Sequence, residues 1–473
     1  MLFTSGSYLL FLALAFLIYW PLSARRWPSL IFLVAASYYF YALWNPKFLA
    51  LLVLISTVDY LTARGIAATE KRKLRQLLMS VSILTDIGVL LTFKYFNFFS
   101  ASFATLLGKF GSTASPVLLT RLALPLGLSF ITFRSLSYVI DVYRKTTPPT
   151  RNLFEHLAFV AFFPTIIAGP LVRAKELIPQ FRRRAELTNL DGSRALFLIM
   201  LGLVKKIAIA NFLANNLVDR VFDQPQLYSS LETLAAIYGY ALQIYCDFSG
   251  YTDIAIGSAL LLGFKLPENF NSPYRAQSLI DFWRRWHITL SNWLRDYVFT
   301  SLGGLRKKHN LYRNLILTML IAGLWHGAAW TFVLWGGLHG LGLSVNHLWE
   351  GHRRKHKLKP RQQWWIKAIC VFVTFHFVCL GWVLFRAGSL QVTWDVLKRL
   401  GVAQFSTGNL ATPVVVVLLL GYLAHWIPRT VLERMAAGWN WLPSPAQVVL
   451  ILGVALGLYY LSGTNVQFIY GNF

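Results

Sequence analysis

The sequence Ala322-Gly-Leu-Trp-His-Gly327 lies within an apolar run, Leu315–Val345, that is long enough to enter a lipid bilayer. A histidine at membrane depth is costly to bury, and ionisable residues there usually face a bundle interior or a water-filled cavity. Gly323 and Gly327 flank His326, and their missing side chains allow another backbone or a substrate to come close. Two interpretations stay open: His326 belongs to a functional site, or it is a neutral histidine that bonds to a neighbouring helix.

Composition places the whole chain in the membrane class. Of 473 residues, 56% are hydrophobic and only 14% are charged, and the mean hydropathy is +0.51. Repeated apolar runs of about 20 residues predict transmembrane helices. The first run, Tyr8–Leu22, lacks a basic region before it and a small-residue cleavage site after it, so we expect a retained span and not a signal peptide. The predicted fold class is an all-α polytopic membrane protein without a soluble domain or an internal repeat.

The net charge of +26 has a membrane explanation. The basic residues gather in short loops between apolar runs, which is the positive-inside pattern and favours anionic lipid headgroups. We therefore expect no nucleic-acid partner. The three cysteines, Cys246, Cys370 and Cys379, lack the paired spacing of a metal site or a disulfide framework.

The basic loops also predict a topology. Clusters at residues 25–26, 64–75, 144–151 and 353–361 are expected in the cytoplasm, which places both termini outside. A single integral membrane domain is expected. Its predicted parts are N-terminal spans within residues 1–143, a core at about 153–348, C-terminal spans at 364–462 and an extracytoplasmic tail at 463–473.

Two segments have cytoplasmic signals at both ends and cannot be single spans. Leu153–Pro170 is short and contains Pro164 and Gly169, so we predict that it re-enters the membrane. Non-helical backbone at that depth must be buried in protein or line a cavity, which predicts a pocket open to the cytoplasm. The run 315–345 is predicted to be a hairpin or a pair of tilted helices, broken at Gly336-Gly337.

One apolar run carries an unusual number of polar residues, in the motif Gln243–Asp253. Gln243, Asp247 and Tyr251 are four residues apart and share one helical face. They either form a polar contact between helices, with Asp247 neutral or paired to an arginine, or contribute to a site.

The segment Asp281–Tyr297 is rich in Trp and Arg, amphipathic, and too polar to span. As one helix it would align Trp283, His287 and Ser291 along one face. One interpretation is an interfacial helix with snorkelling arginines. The other places the helix inside the protein, with His287 and the guanidinium groups against a polar or phosphorylated ligand.

Four motifs follow one another in the order found in a known family: Gln243–Asp253, Pro267–Tyr274, Phe282–Leu294 and Gly323–Gly327. The chain resembles membrane-bound O-acyltransferases of the bacterial alginate O-acetyltransferase type, over almost its whole length. Relatives of that type modify peptidoglycan, cellulose or teichoic acids. The resemblance implies a bacterial inner-membrane protein with a ring of roughly 11–12 transmembrane helices, plus re-entrant segments, around a central funnel.

The resemblance also implies a chemistry and its residues. An acetyl group would pass from cytoplasmic acetyl-CoA, a donor substrate and not a resident cofactor, toward an extracytoplasmic polysaccharide. His326 and His287 would share one site, where histidine's unperturbed pKa of roughly 6.5 suits a base near neutral pH. Trp and Asn donors or His287 are candidates to stabilise the oxyanion. The expected substrate-binding residues are aromatic or polar neighbours in the same motifs: Trp325, Asn292, Trp286, Arg285, Asp247 and Gln243. No metal site is expected.

The chain ends in Phe468-Ile-Tyr-Gly-Asn-Phe473. Related chains, or their small partner subunits, often end in Phe-Ile-Tyr-Phe-x-Phe, in which the tyrosine is proposed to carry the acyl group. Here Tyr470 is present, but Gly471 replaces the intervening phenylalanine. One hypothesis is a relay in which Tyr470 passes the acetyl group to a second, extracytoplasmic acetyltransferase. The other is an aromatic anchor at the membrane interface.

Other functions stay open from the residues alone. The chain could transfer D-alanyl or another acyl group to a cell-wall polymer. A transporter would hold His and Asp at the midplane as well, but it should show paired half-repeats with matching broken helices, and none is found. A non-catalytic scaffold would tolerate His326→Ala, whereas an acyltransferase would not.

Overall fold

The computed structural model describes residues 3–111, 115–119, 124–304, 310–357 and 363–462. This part of the chain is helical and contains no β-strand, which confirms the predicted all-α class. The α-helices are α1 Gly6–Ser23, α2 Arg26–Ala42, α3 Leu49–Ala68, α4 Arg72–Leu90, α5 Phe96–Gly108, α6 Leu128–Tyr143, α7 Leu153–Ala161, α8 Ala174–Leu177, α9 Asn189–Leu203, α10 Asp219–Asp223, α11 Ser230–Leu261, α12 Leu279–Arg285, α13 Ile288–Trp293, α14 Leu311–His326, α15 Trp330–Lys355, α16 Trp364–Arg386, α17 Leu390–Gly401, α18 Thr412–His425, α19 Arg429–Trp439 and α20 Ser444–Ser462.

Shorter helical turns connect several of these elements. The 3₁₀ turns are Pro46–Phe48, Ile178–Arg182, Pro225–Leu227 and Pro273–Arg275. The π-helical segments are Leu91–Tyr95, Val204–Asn211, Ala214–Val218 and Leu294–Phe299.

The protein is a multi-pass membrane protein. Within the described residues, five helical segments are long and apolar enough to cross a membrane: Gly6–Ser23, Pro46–Ala68, Arg72–Gly108, Asn189–Asp223 and Trp364–Arg386. Helices α18 and α19 meet at an angle of 96°. If they are counted together as one broken span, the number of spans rises to six. Helix α11 is long but carries many polar residues, and α14, with 16 residues, is shorter than a bilayer core. The predicted 11–12 spans and their ring arrangement stay predictions.

Contacts divide the chain into two compact units, and the domain boundaries inferred from the sequence stay predictions. The first unit comprises Met1–Ala195 with Ala255–Pro267, and the second comprises Leu196–Ile254 with Glu268–Phe473.

In the first unit, the segment predicted to re-enter the membrane is a short helix followed by buried irregular backbone. Helix α7 has nine residues, which gives a length of about 14 Å, too short to cross a bilayer core. The non-helical backbone at Phe162–Val172 is buried. Arg134 of α6 donates hydrogen bonds to the carbonyls of Phe159 (3.0 Å) and Val160 (3.1 Å) and to Thr165 Oγ1 (2.7 Å). These bonds satisfy carbonyls at the end of α7 that the helix itself leaves unpaired.

In the second unit, α14 and α15 form a hairpin, but the break predicted at Gly336-Gly337 is wrong. Helix α14 ends at His326 and α15 begins at Trp330, so both glycines lie inside α15. The chain leaves the helix at Gly327, where the backbone is extended and the ring of Phe332 occupies the space that a side chain would need.

Glycines let the two arms of this hairpin touch backbone to backbone. A Cβ added at Gly323 would lie 2.2 Å from the carbonyl oxygen of Phe332, and one added at Gly336 would lie 2.3 Å from that of Met319. Small residues serve this purpose in membrane helices, where close approach replaces the hydrophobic effect as the source of attraction. The glycines near His326 therefore fix the helix that carries it.

The amphipathic segment 281–297 is not one helix. Helices α12 and α13 are separated at His287, whose backbone is left-handed (φ 41°, ψ 56°). The backbone N–H of the next residue donates to the carbonyl of Asn269 at 2.9 Å and holds the break in place. The predicted alignment of Trp283, His287 and Ser291 along one helical face is therefore wrong.

The same segment is packed inside the second unit. Phe282, Trp286, His287 and Leu290 are each at most 1% exposed. An interfacial helix would keep one face on the lipid headgroups. This burial favours the interpretation in which the segment lies within the protein.

Candidate active site

His326 lies at the last residue of α14 and is 2% exposed. Three aromatic rings surround its imidazole: Trp325 at 4.9 Å between ring centroids, Trp335 at 5.1 Å and Phe385 at 5.1 Å. Indole and phenyl rings exclude water from the imidazole and restrict its orientation, as a positioned acid–base group requires.

His287 is fully buried beside the same indole. Its ring lies 6.0 Å from that of Trp325 and 4.7 Å, edge to face, from that of Phe248. Trp325 thus contacts both histidines that the sequence singled out. His326 is the last residue of α14, whereas His287 lies at the break between α12 and α13.

The amide of Asn269 determines which nitrogen of His287 carries its proton. The Oδ1 atom of Asn269 accepts hydrogen bonds from the backbone N–H (3.2 Å) and the hydroxyl (2.8 Å) of Thr289, so it is an acceptor. It lies 3.1 Å from His287 Nδ1. We therefore assign the proton of a neutral His287 to Nδ1, which leaves the lone pair on Nε2. Asn269 was not predicted, although it belongs to the motif Pro267–Tyr274.

Asp247 is part of a buried ion pair. Its Oδ1 lies 2.6 Å from Nζ of Lys206, and both side chains are at most 2% exposed. The sequence analysis left Asp247 either neutral or paired to an arginine. The structure pairs it with a lysine, whose Nζ lies 5.7 Å from the centroid of the Tyr251 ring. Gln243 is buried on the same helix. The Asp247–Lys206 pair is therefore a polar contact between helical segments, and a role of this face in a site stays a prediction.

A second ion pair lies next to the first. Lys205 Nζ is 2.6 Å from Asp253 Oδ2. Sequence reasoning missed both lysines, although a signal existed. Two consecutive lysines within the apolar run 194–217 need acidic partners at membrane depth, and Asp247 and Asp253 are among the few carboxylates in other apolar runs.

The remaining predicted binding residues occupy different environments. Trp286 is buried in an aromatic wall, 4.9 Å from the ring of Trp382. Arg285 is half-buried and forms an ion pair with Asp281 at 2.8 Å. Asn292, on α13, is partly exposed. Of these residues, Arg285 and Asn292 retain polar surface that a ligand could reach.

His339 is a buried histidine that the sequence analysis did not select. It lies on α15, fully buried, 4.8 Å from the ring of Trp335, which in turn contacts His326. A signal was present in the sequence Gly336-Gly-Leu-His-Gly340, which resembles the Gly-Leu-Trp-His-Gly motif of the preceding helix.

Two other predictions concern a metal site and the C-terminal tail. Within the described ranges, no group of three or more His, Cys, Asp or Glu side chains is placed to hold a metal ion. Tyr470 and the rest of the tail 463–473 lie outside the described residues.

Comparison with known proteins gives the family. The model of the membrane-bound O-acyltransferase family matches residues 72–386. The chain is 41% identical to the "Probable alginate O-acetylase AlgI" of Pseudomonas aeruginosa, over 89% of this chain and 80% of the relative. It is 38% identical to the "Peptidoglycan O-acetyltransferase" of Helicobacter pylori, over 82% and 77% of the two chains, and 32% identical to the "Teichoic acid D-alanyltransferase" of Streptococcus thermophilus, over 58% and 70%. The chain therefore belongs to the membrane-bound O-acyltransferase family and is an acyltransferase.

Proposed function

We propose that this acyltransferase moves an acetyl group from cytoplasmic acetyl-CoA across the membrane for O-acetylation of an extracytoplasmic polysaccharide. The observation that carries the proposal is the packing of His326 and His287 against one indole, that of Trp325, in a membrane protein. The names of the relatives from Pseudomonas aeruginosa and Helicobacter pylori, which refer to alginate and peptidoglycan, support a polysaccharide acceptor.

In the proposed reaction, His326 acts as general base. It takes the proton from an acceptor hydroxyl, whose oxygen attacks the thioester carbonyl. The tetrahedral intermediate then collapses, the carbon–sulfur bond breaks, and the coenzyme A thiolate receives the proton from the His326 imidazolium. Acid–base assistance of this kind contributes about 10²–10⁴-fold to a rate.

In this proposal His287 packs against the indole of Trp325 and holds it toward the reacting group. With the proton on Nδ1, its Nε2 accepts a hydrogen bond and cannot donate one to the developing oxyanion. The indole N–H of Trp325 and the amide of Asn292 are the donors proposed for the oxyanion. Asp247 and Gln243 hold the neighbouring helix, and Arg285 is the proposed contact for a phosphate of the donor.

Tyr470 is the proposed first acceptor. Its hydroxyl, with a pKa near 10, needs an adjacent base to attack at neutral pH, and His326 would supply it. A second, extracytoplasmic acetyltransferase would then move the acetyl group from the tyrosyl ester to the polysaccharide. This route fits a chain in the bacterial inner membrane with both termini outside, because coenzyme A cannot itself cross the lipid core.

D-alanyl transfer is the alternative acyl chemistry. The teichoic acid D-alanyltransferase relative favours it, at lower identity and over less of the chain than the alginate O-acetylase relative. Supplying purified protein with acetyl and D-alanyl donors in parallel separates the two. Faster transfer from the D-alanyl donor would identify D-alanyl, and not acetyl, as the group that the enzyme transfers.

The experiment that tests the proposed site is His326→Ala in reconstituted vesicles with labelled acetyl-CoA. We expect transfer to fall by about 10²–10⁴-fold while the protein stays folded. The matched control is His156→Ala, which removes a fully buried imidazole from the first unit. Near-normal turnover in a folded His326→Ala protein, or an equal loss in the control, would contradict the proposed role.

A further inference from the structure

A cavity of about 610 Å³ lies in the second unit, apart from the two histidines. The first turns of α16, the end of α18 and the 3₁₀ turn Pro273–Arg275 enclose it. Its lining is polar and basic at one part and aromatic or aliphatic elsewhere.

The polar part carries two positive charges. Arg275 and Lys367 line the cavity together with Gln277. Arg275 lies 5.6 Å from the ring of Trp426, and no carboxylate pairs with Arg275 or Lys367 among the described residues. Two basic side chains without a neutralising acid form a site for an anion.

The rest of the cavity is apolar and open toward lipid. Val371, Phe372 and Phe375 of α16 form this wall, and Phe372 is 63% exposed although α16 is one of the membrane-spanning helices. An exposed phenylalanine on a membrane-spanning helix faces the hydrocarbon of the bilayer. The two parts together match a molecule with an anionic head and a hydrocarbon chain.

The depth of the cavity in the membrane also fits a molecule with an anionic head and a hydrocarbon chain. Lys367 and Trp364 lie in the first turn of α16, shortly after the basic stretch 353–361 of the sequence. Basic loops and tryptophans mark the headgroup level, and anionic lipids attract juxtamembrane Lys and Arg. The basic part of the cavity is therefore at headgroup depth, with the apolar wall extending from it into the hydrocarbon.

We propose that this cavity binds one anionic phospholipid, with its phosphate on Arg275 and Lys367 and an acyl chain along Val371 and Phe375. The bound lipid would support the aromatic rings of Trp382 and Phe385, which lie beside the candidate active site. Tyr274 lines the cavity, and its hydroxyl accepts a hydrogen bond from the indole of Trp382 at 3.2 Å. The Trp382 ring lies 5.3 Å from that of Phe385, which contacts His326.

The test measures lipid retention, which does not depend on acyl transfer. The full chain is reconstituted in nanodiscs of equal phosphatidylglycerol and phosphatidylcholine, and lipids that stay bound after extraction into detergent are counted by native mass spectrometry. Wild-type protein should retain one phosphatidylglycerol in preference to phosphatidylcholine. The double variant Arg275→Gln/Lys367→Gln should reduce that preference about tenfold. The matched control Lys71→Gln/Lys73→Gln removes the same charge from the exposed start of α4 and should keep the preference.

A steric variant tests the apolar part without changing charge. Ala368→Trp fills the cavity from an exposed position of α16 and should abolish retention, whereas Val373→Trp, exposed on the same helix outside the lining, should not. Equal retention of both lipids by the wild type, or wild-type retention in the cavity variants, would overturn the proposal. Displacement of the bound lipid by coenzyme A would also overturn it, since the cavity would then be a donor site.

Discussion

The Nδ1 atom of His287 lies 3.1 Å from Oδ1 of Asn269, a residue 18 positions earlier in the chain. The same oxygen accepts two hydrogen bonds from Thr289, so one side-chain amide fixes the tautomer of the imidazole and holds the first turn of α13 beside it, while the backbone carbonyl of Asn269 holds the break before α13. Asn269 is therefore a positioning residue, acting through His287.

Asn269→Leu should lower kcat for acetyl transfer by about 10–100-fold, the range measured when a histidine loses its outer hydrogen-bond partner at metal sites. KM for acetyl-CoA should change little, because the substitution acts on orientation. Asn269→Asp keeps an acceptor oxygen at the same place and should recover a large part of the rate. Equal losses in both variants would mean that the amide has only a structural role.

Gly323→Ala should destabilise the α14–α15 hairpin, because its methyl group would lie 2.2 Å from a backbone carbonyl oxygen that cannot move aside cheaply. We expect a loss of about 1–3 kcal/mol, read as a lower thermal unfolding midpoint in detergent. Gly337→Ala is the matched control on the facing helix. Its methyl group would contact only the Leu320 side chain at 3.8 Å, so the midpoint should stay or rise. Similar midpoints for both variants would refute the close backbone contact.

Lys206→Met should leave the Asp247 carboxylate buried without its counter-charge, at a cost of about 3–5 kcal/mol. Lys206→Met combined with Asp247→Leu removes both charges and should restore much of the lost stability. Thermal unfolding of the single and double variants measures this coupling. If the double variant is no more stable than the single one, the ion pair does not account for the loss.

The same double variant separates a structural role of Asp247 from substrate binding. If the ion pair of Lys206 and Asp247 is purely structural, acyl transfer should recover together with stability in the double variant. A stable double variant that stays inactive would instead assign Asp247 to the substrate.

Tyr470→Phe removes only the hydroxyl that the relay requires. We expect it to abolish polysaccharide acetylation and the acetyl ester detectable on the protein by mass spectrometry, while expression and insertion are unchanged. Tyr460→Phe is the matched control, since Tyr460 is an exposed tyrosine of α20. Wild-type polymer acetylation in Tyr470→Phe would exclude the relay and leave an aromatic anchor.

Local sequence patterns were sufficient to predict several features of the fold. The apolar runs predicted the membrane class, and the short length and prolines of the segment that begins at Leu153 predicted an element that cannot span. Motif order pointed to the family, which the comparisons then confirmed. The burial of His326 also followed from its place within an apolar run. These features depend on residues close together in the chain, where composition and periodicity carry the information.

Only the tertiary structure decided where helices break and which groups satisfy buried polar atoms. The sequence indicated one helix through His287 and a hairpin break at Gly336-Gly337. Both were wrong. The backbone carbonyl of Asn269, which lies outside the segment 281–297, holds the break before α13, and the first arm of the hairpin ends at Gly327, where the ring of Phe332 fills the space beside the backbone. Helical periodicity gives the face on which a side chain lies, but a hydrogen bond or an ion pair depends on the position of a partner from a distant part of the chain. That position exists only once the helices have packed.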